Sequence, residues 1–185
     1  GDNAGKFKPL SLADIADQAT PTGGPIGAGH QVNTVGAEGG FATHICDVEV
    51  DVELGIARII RYTAIQDVGR AIHPDYVEGQ LQGGVAQGIG AALFEEMKYN
   101  ENGQLETATL ADYLIPNSLD VPEISISHLE NFLPNNIGKF KGMGEGGTIG
   151  ATGAIANAVS DALKHLNIEI TELPITPNKL YTLIK

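Results

Sequence analysis

The chain has 185 residues, 42% of them hydrophobic, enough for one domain with its own core, which excludes a disordered chain. A formal net charge of −12 excludes a general nucleic-acid binder, which needs Lys and Arg to neutralise phosphates, and argues against docking on an anionic membrane. No run approaches the roughly 18 apolar residues of a spanning helix, and Cys46, the single cysteine, excludes an intramolecular disulfide and a cysteine-ligated iron–sulfur cluster.

Residues 1–40 read as an irregular connector or arm. Within them Ser11 is placed to N-cap a short helix, LADIADQA, with Asp14 in the capping-box position usually held by Glu. Thr20 to Gly29 is a Gly/Pro segment, either pinned against the rest of a larger subunit or a mobile arm. No charged stretch followed by an apolar one opens the chain, so a cytoplasmic protein is expected.

Residues 41–185 carry the regular structure. Phe41 to Asp67 reads as a β-hairpin. Ala42, His44, Cys46, Val48, Val50 and Val52 share one strand face; Thr43, Asp47, Glu49 and Asp51 share the other. Glu53-Leu54-Gly55 turns the chain into a second strand from Ile56, where Arg58 or Arg61 can meet the acids across the ladder. His44 and Cys46 stand two apart on one face, but no second pair completes a metal site. No metal ligand is assigned, and Cys46 is read as packing.

Asp67 to Arg70 closes the strand. Pro74 suits the first turn of a helix predicted to run to about Met97. Val77, Leu81, Val85, Ile89 and Leu93 give that helix an apolar side. Its five interior glycines, Gly79, Gly83, Gly84, Gly88 and Gly90, each cost about 0.5–1 kcal/mol relative to Ala. Either another helix packs very close, or a ligand lies against the backbone, or both. Gln82 and Gln87 stand among them, each with a donor and an acceptor. Glu95 and Glu96 read as the solvated polar end of the helix. Asn102-Gly103 marks a tight hairpin, ISISHLE a further strand, and Leu133 to Asn136 the way into Gly138.

The segment from Lys141 to Leu166 has two halves. The first is a loop holding Gly142, Gly144, Gly146, Gly147 and Gly150. The second, from about Ala151, is a helix with Ile155, Val159, Leu163 and Leu166 in one apolar stripe. Among the acids near motifs, only Glu145 stands on a bare backbone, where partial dehydration suits general-base work. Glycine amides there can approach a large ligand or face an anion. The plainer alternative is a cap loop with one solvated Glu. A short strand, IEI, and a last turn capped by Thr176, with Pro177 at its first position, close the chain. The class is α+β: antiparallel β-hairpins carrying two main Gly-rich helices. No P-loop run, and no GxGxxG after a strand, supports a stand-alone nucleotide module.

KGMGEGGTIGATGAIANAVSDAL resembles the end of the large, molybdenum-binding subunit of the xanthine dehydrogenase family. Gly-Gly after the acid is more similar to the carbon monoxide dehydrogenase-like and aldehyde dehydrogenase-like branch than to the purine-oxidising members, which usually carry Pro-Pro there. QDVGRAIHPDYVEGQLQGGVAQGIGAALFEE (Gln66–Glu96), ADYLIPNSLDVPE (Ala111–Glu123) and LPITPNKLY (Leu173–Tyr181) agree in order and spacing. The resemblance covers roughly Gly36 onward and implies the C-terminal portion of a larger molybdopterin-binding domain.

The resemblance also implies roles. Glu145 becomes the catalytic base. Gly83, Gly84, Gln87 and Gly88, with Lys141, Gly142, Met143 and Gly144, become cofactor contacts, the last four through backbone amides. The implied cofactor is molybdopterin with molybdenum, in its cytosine dinucleotide form, the metal serving as Lewis acid and source of the nucleophile. [2Fe-2S] clusters and FAD are expected on partner chains or domains. Expected partners are the remainder of the molybdenum-binding subunit, an iron–sulfur subunit, an FAD subunit and a small-molecule substrate of the aldehyde, N-heterocycle or CO type. The family's upstream cofactor loops, and the copper-holding Cys of the CO-oxidising branch, are not among these residues. A catalytically silent segment that only completes a fold or an interface is the alternative; a bare acid with its full glycine surround argues against it.

Overall fold

The computed structural model describes residues 5–25, 27–31, 39–132 and 138–185. The lead into Gly138 from Leu133 to Asn136, and part of the Gly/Pro connector, lie outside the described residues. The chain divides into two compact units, Gly1–Ala37 and Glu38–Lys185. In the first, α1 (Leu12–Asp17) starts on the expected capping box. Ser11 Oγ accepts from the Asp14 amide at 3.1 Å, and the Asp14 carboxylate accepts from the Ser11 amide at 2.8 Å. Turns follow it to Pro25.

The second unit holds a three-stranded sheet. β1 (Ala42–Asp51) and β2 (Ile56–Asp67) pair antiparallel around the turn at Gly55. Along β1, His44, Cys46, Val48 and Val50 are drawn toward the core while Ile45 is exposed, as the period-two pattern requires. Arg61 meets Asp47 across the ladder at 2.6 Å, and Arg58 stands opposite Glu49. The ISISHLE strand forms as β3 (Ile124–Leu129), but it pairs parallel to β2 and not within an antiparallel hairpin. A parallel neighbour needs a long crossover, and the helix between β2 and β3 supplies it.

That helix, α2 (Pro74–Leu93), has Pro74 at its first position and His73 Nδ1 accepting from the Tyr76 amide at 3.4 Å. It stops at Leu93, short of Met97. The amides of Phe94 and Glu95 both turn back to the Gly90 carbonyl. Glu95 then accepts from the Tyr113 hydroxyl at 2.5 Å, and Glu96 pairs with Lys179 at 2.7 Å and Lys98 at 3.4 Å. The two acids therefore tie later segments to the helix end and are not its solvated tip.

The second main helix, α3 (Gly146–Ala162), begins earlier than expected, so Gly146, Gly147 and Gly150 are helical; a 3-10 turn (Lys164–Leu166) follows it. IEI forms no strand: Ile168 and Ile170 pack against the core, and the Ile170 amide donates to Ser160 Oγ at 3.0 Å. α4 (Pro177–Ile184) starts on the Thr176 cap. The core lies between sheet and helices, with Tyr62, Val85, Ile89, Ile155, Val159 and Leu180 wholly buried. Where α2 meets α3, an added Cβ on Gly84 would stand 2.9 Å from Gly147 Cα, and one on Gly88 would overlap the Ala151 side chain. Close helix contact thus accounts for two of the five glycines, and the Glu95 side chain folded onto Gly90 for a third. Gly79 and Gly83 face open space. No helix among the described residues is long and apolar enough to cross a membrane.

Candidate active site

Glu145 occupies the N-cap of α3, exposed, with no side-chain capping bond. It lies on a pocket of about 830 Å³ whose wall also includes His44, Gln66, Met143, Gly144 and Ile149. Among the described residues that line it, Glu145 is the only acid.

The loop before Glu145 is fixed at its root. Phe140 bridges Gly69, and the Lys141 amide donates to the Val68 carbonyl at 2.9 Å. Gly69 has φ +59°, and a Cβ there would strike the Lys139 carbonyl, so only glycine allows this approach. Beneath it Lys141 Nζ lies 2.6 Å from Asp67 Oδ2, with both side chains buried. The Gly69 and Asn131 amides donate to Asp67 Oδ1 at 3.1 and 3.2 Å. Lost hydration works to raise the Asp67 pKa, but the hydrogen bonds from Lys141, Gly69 and Asn131, with the lysine charge, bring it below its ordinary value.

This changes the reading of Lys141. Its amide is taken by Val68 and its ammonium by Asp67, so both are bonded within the chain. The amides of Gly142, Met143 and Gly144 have no acceptor among the described residues, and an added Cβ on Gly142 or Gly144 would meet nothing. These three remain the open stretch of backbone.

The α2 residues divide in the same way. The backbones of Gly84 and Gly88 are covered by α3, while Gly83 and Gln87 are exposed. Gln87 Oε1 stands 3.5 Å from Thr148 Oγ1, whose hydroxyl donates to the Gly84 carbonyl at 3.1 Å. Hence the fold brings the two predicted segments together at the helix crossing, although Gly83 and Gln87 do not line the pocket beside Glu145. Gln82 is exposed.

Three residues at the site carry no role in the sequence motifs. Gln80 Nε2 donates to the Gly144 carbonyl at 2.8 Å. His44 places Nε2 3.1 Å from the Gly146 carbonyl and Nδ1 2.8 Å from the Tyr62 hydroxyl. A carbonyl only accepts, so Nε2 bears the proton and Nδ1 accepts from Tyr62. Burial lowers the His44 pKa, outweighing the opposite pull of the Gly146 carbonyl, and so favours this neutral ring. Gln66 is 4% exposed; its Nε2 donates to the Asp67 and Phe41 carbonyls, while Oε1 lies against Gly146 with no hydrogen-bond partner among the described residues. The pairing of His44 with Cys46 leads nowhere chemically. Burial, then the neighbouring Asp47 charge, pushes the Cys46 thiol up to about 11, which keeps it protonated and inert. Among the described residues no group of three His, Cys, Asp or Glu side chains is arranged to hold a metal.

The sequence profile of the molybdopterin cofactor-binding domain matches residues 4–122. Over 74% of its length the chain is 41% identical to the nicotine 6-hydroxylase large subunit of Paenarthrobacter nicotinovorans, covering 17% of that protein. Over its full length it is 30% identical to the carbon monoxide dehydrogenase large chain of Hydrogenophaga pseudoflava, covering 23% of it. The crystal structure of quinoline 2-oxidoreductase from Pseudomonas putida 86 superposes with a TM-score of 0.72 at 48% identity, over 74% of this chain and 17% of that one. That of the copper- and molybdenum-containing CO dehydrogenase gives 0.75 at 28% identity, over 78% and 18%. The chain therefore spans only 17% to 23% of the length of these curated relatives.

Proposed function

The chain belongs to the molybdopterin cofactor-binding domain family, and we propose that it is the C-terminal part of the molybdenum-binding subunit of a hydroxylase in which Glu145 is the catalytic base. The observation that carries this reading is the placement of Glu145 as the only acid among the described residues lining the pocket, next to three amides that have no acceptor among those residues. The residues present fit the cofactor. The pocket lies within the roughly 300–1,000 Å³ of small-molecule sites. Open backbone at Gly142 and Gly144 lets a large ligand approach, and the amides of Gly142, Met143 and Gly144 supply donors for its polar edge or phosphates. Gly83 and Gln87, exposed on α2, offer a second contact region.

When bound, molybdenum on a dithiolene pterin supplies Lewis-acid and two-electron redox chemistry. Glu145 accepts, at a carboxylate oxygen, the proton released as a water-derived oxygen attacks the substrate carbon. The helix start behind it holds the following peptide unit, the Glu145 carbonyl accepting from the Thr148 and Ile149 amides. N-heterocycles are the favoured substrate class, because the relatives at 41% and 48% identity are named for nicotine and quinoline. The CO dehydrogenases stand at 30% and 28%. The cytosine dinucleotide form of the cofactor, and electron transfer through iron–sulfur and FAD subunits in a cytoplasmic complex, belong to the same proposal. Relatives named as a large subunit and as subunit gamma of a dehydrogenase complex support a multi-chain assembly.

Glu145→Gln in the complete complex tests the assignment. Molybdenum content should stay near wild type while turnover falls by at least about 10²-fold, the lower scale for a lost general base. Unchanged turnover at normal metal loading would sink it.

A further inference from the structure

We propose that His44, held in one tautomer by Tyr62, is a positioning residue for Glu145, acting through the Gly146 carbonyl in the first turn of α3, the helix that Glu145 caps. The inference rests on Glu145 being the base. Glu145 sits between two peptide units. The unit before it carries the Gly144 carbonyl, which accepts from Gln80 at 2.8 Å; the unit after it carries the Glu145 carbonyl, which accepts from the Thr148 and Ile149 amides at 3.0 and 3.1 Å; the following carbonyl, on Gly146, accepts from His44 at 3.1 Å. Gln80 holds the unit before Glu145, and His44 anchors the first turn of α3 whose amides hold the unit after it; together they set the direction in which the Glu145 side chain leaves the backbone. The need is acute because Gly142, Gly144, Gly146 and Gly147 surround it, and glycine loses more conformational freedom on ordering than any other residue.

His44 is built for this hold. Its partner Tyr62 is wholly buried, with the two rings edge to face at 78°. The Tyr62 hydroxyl donates to Nδ1, which leaves Nε2 as the donor toward Gly146. Gly150 passes so close that an added Cβ would strike the imidazole, and Gly146 packs equally close on Gln66. The imidazole is thus held between α3 and a buried phenol, and its free N–H meets the residue beside the only acid on the described pocket wall.

The test uses the holoenzyme and four variants: H44A, H44Q, Y62F and E145Q, with the H44A/E145Q double. The Gln side chain can put an N–H near the position of Nε2. H44A should lower kcat about tenfold or more with KM and molybdenum content little changed, as expected when a reacting group is slightly misplaced. Hydrogen–deuterium exchange of the peptide spanning residues 142–150 should rise. H44Q should recover most of both losses, and Y62F should show a smaller version of them. H44A should add little to E145Q. Equal loss in H44A and H44Q, additive losses in the double variant, or normal kcat and exchange in H44A would overturn the inference. If H44A fails to assemble, Y62F decides, since unchanged kcat and exchange there would equally overturn it. An unchanged E145Q enzyme overturns the base reading itself, and this inference with it. A crippled E145Q beside a normal H44A overturns this inference alone.

Discussion

Asp67 is held by three donors in a place where water does not reach, and this is the residue-scale feature on which the Glu145 loop depends. Lys141 is two residues from Met143 and its ammonium is committed to Asp67. Removing one partner of such a pair leaves a buried charge uncompensated. Lys141→Met in the complete subunit should lower stability by about 3 kcal/mol, the low end for a broken buried pair, because the Gly69 and Asn131 amides still hold the carboxylate. Thermal melts measure it, and a loss well under about 1 kcal/mol would class the pair with ordinary surface bridges. The pH dependence has a definite sign. The folded-state pKa of Asp67 lies below its ordinary 3.8. Its stabilisation is therefore fully present above that value and is lost as the pH falls through the lower folded-state pKa. Asp67→Asn should be less stable than wild type at neutral pH, with the gap narrowing as the pH drops below about 3.8. A gap that widens on acidification would contradict the assignment.

At the scale of elements, the α2–α3 crossing separates two kinds of glycine. Gly88→Val should push α3 away from α2, because the new side chain has only the space of Ala151 to enter. Assembly and molybdenum content should both fall. A Cβ added at Gly83 meets nothing among the described residues, so Gly83→Val should leave the fold intact, and molybdenum lost in that variant would mark backbone that faces the cofactor. Full metal and activity in both variants would mean the helix merely tolerates its glycines. Much of this layer is legible in the sequence. Alternation along β1 places Asp47 where Arg61 meets it, and Ser11 and Thr176 cap the helices they precede. The start of α3 is not legible, since each helical glycine counts against a helix on propensity alone. It is the facing Gly84 that makes Gly147 fit there. The parallel seat of β3 depends on the crossover, not on its own residues. Glu145 stands out in sequence as an acid among glycines, but the residues that hold its neighbours do not. Gln80 and His44 reach carbonyls 64 and 102 positions away, a separation at which local periodicity is silent.

At the scale of the whole molecule, the site has too few walls. Glu145 is exposed, and a tightly held ligand has roughly 70–90% of its surface buried. Apolar side chains around the fold point to where further walls fit. Ile149, on the pocket itself, and Phe41, beside it on the approach to β1, are each 73% exposed; Tyr76 at the start of α2 is 77% exposed. Phe41 and Ile149 thus leave apolar surface open at the pocket, the kind of surface that a further segment of chain covers. The relatives, of which the matched segment makes up only 17% to 23%, are more than four times as long as this chain and have chain enough to do so. Expressed alone, the 185 residues should therefore bind no molybdenum cofactor, oxidise no aldehyde or N-heterocycle, and bind a hydrophobic dye strongly, with a tendency to aggregate. Metal analysis, turnover assays, dye fluorescence and light scattering on the isolated chain check these four points. Co-expression with the remainder of the subunit should suppress the dye signal and restore metal, because the same contacts that cover Phe41 and Ile149 would close the pocket over Glu145. A soluble, monomeric, molybdenum-loaded and active 185-residue protein would show instead that the walls already present suffice, and that the exposed apolar face serves some purpose other than completing the site.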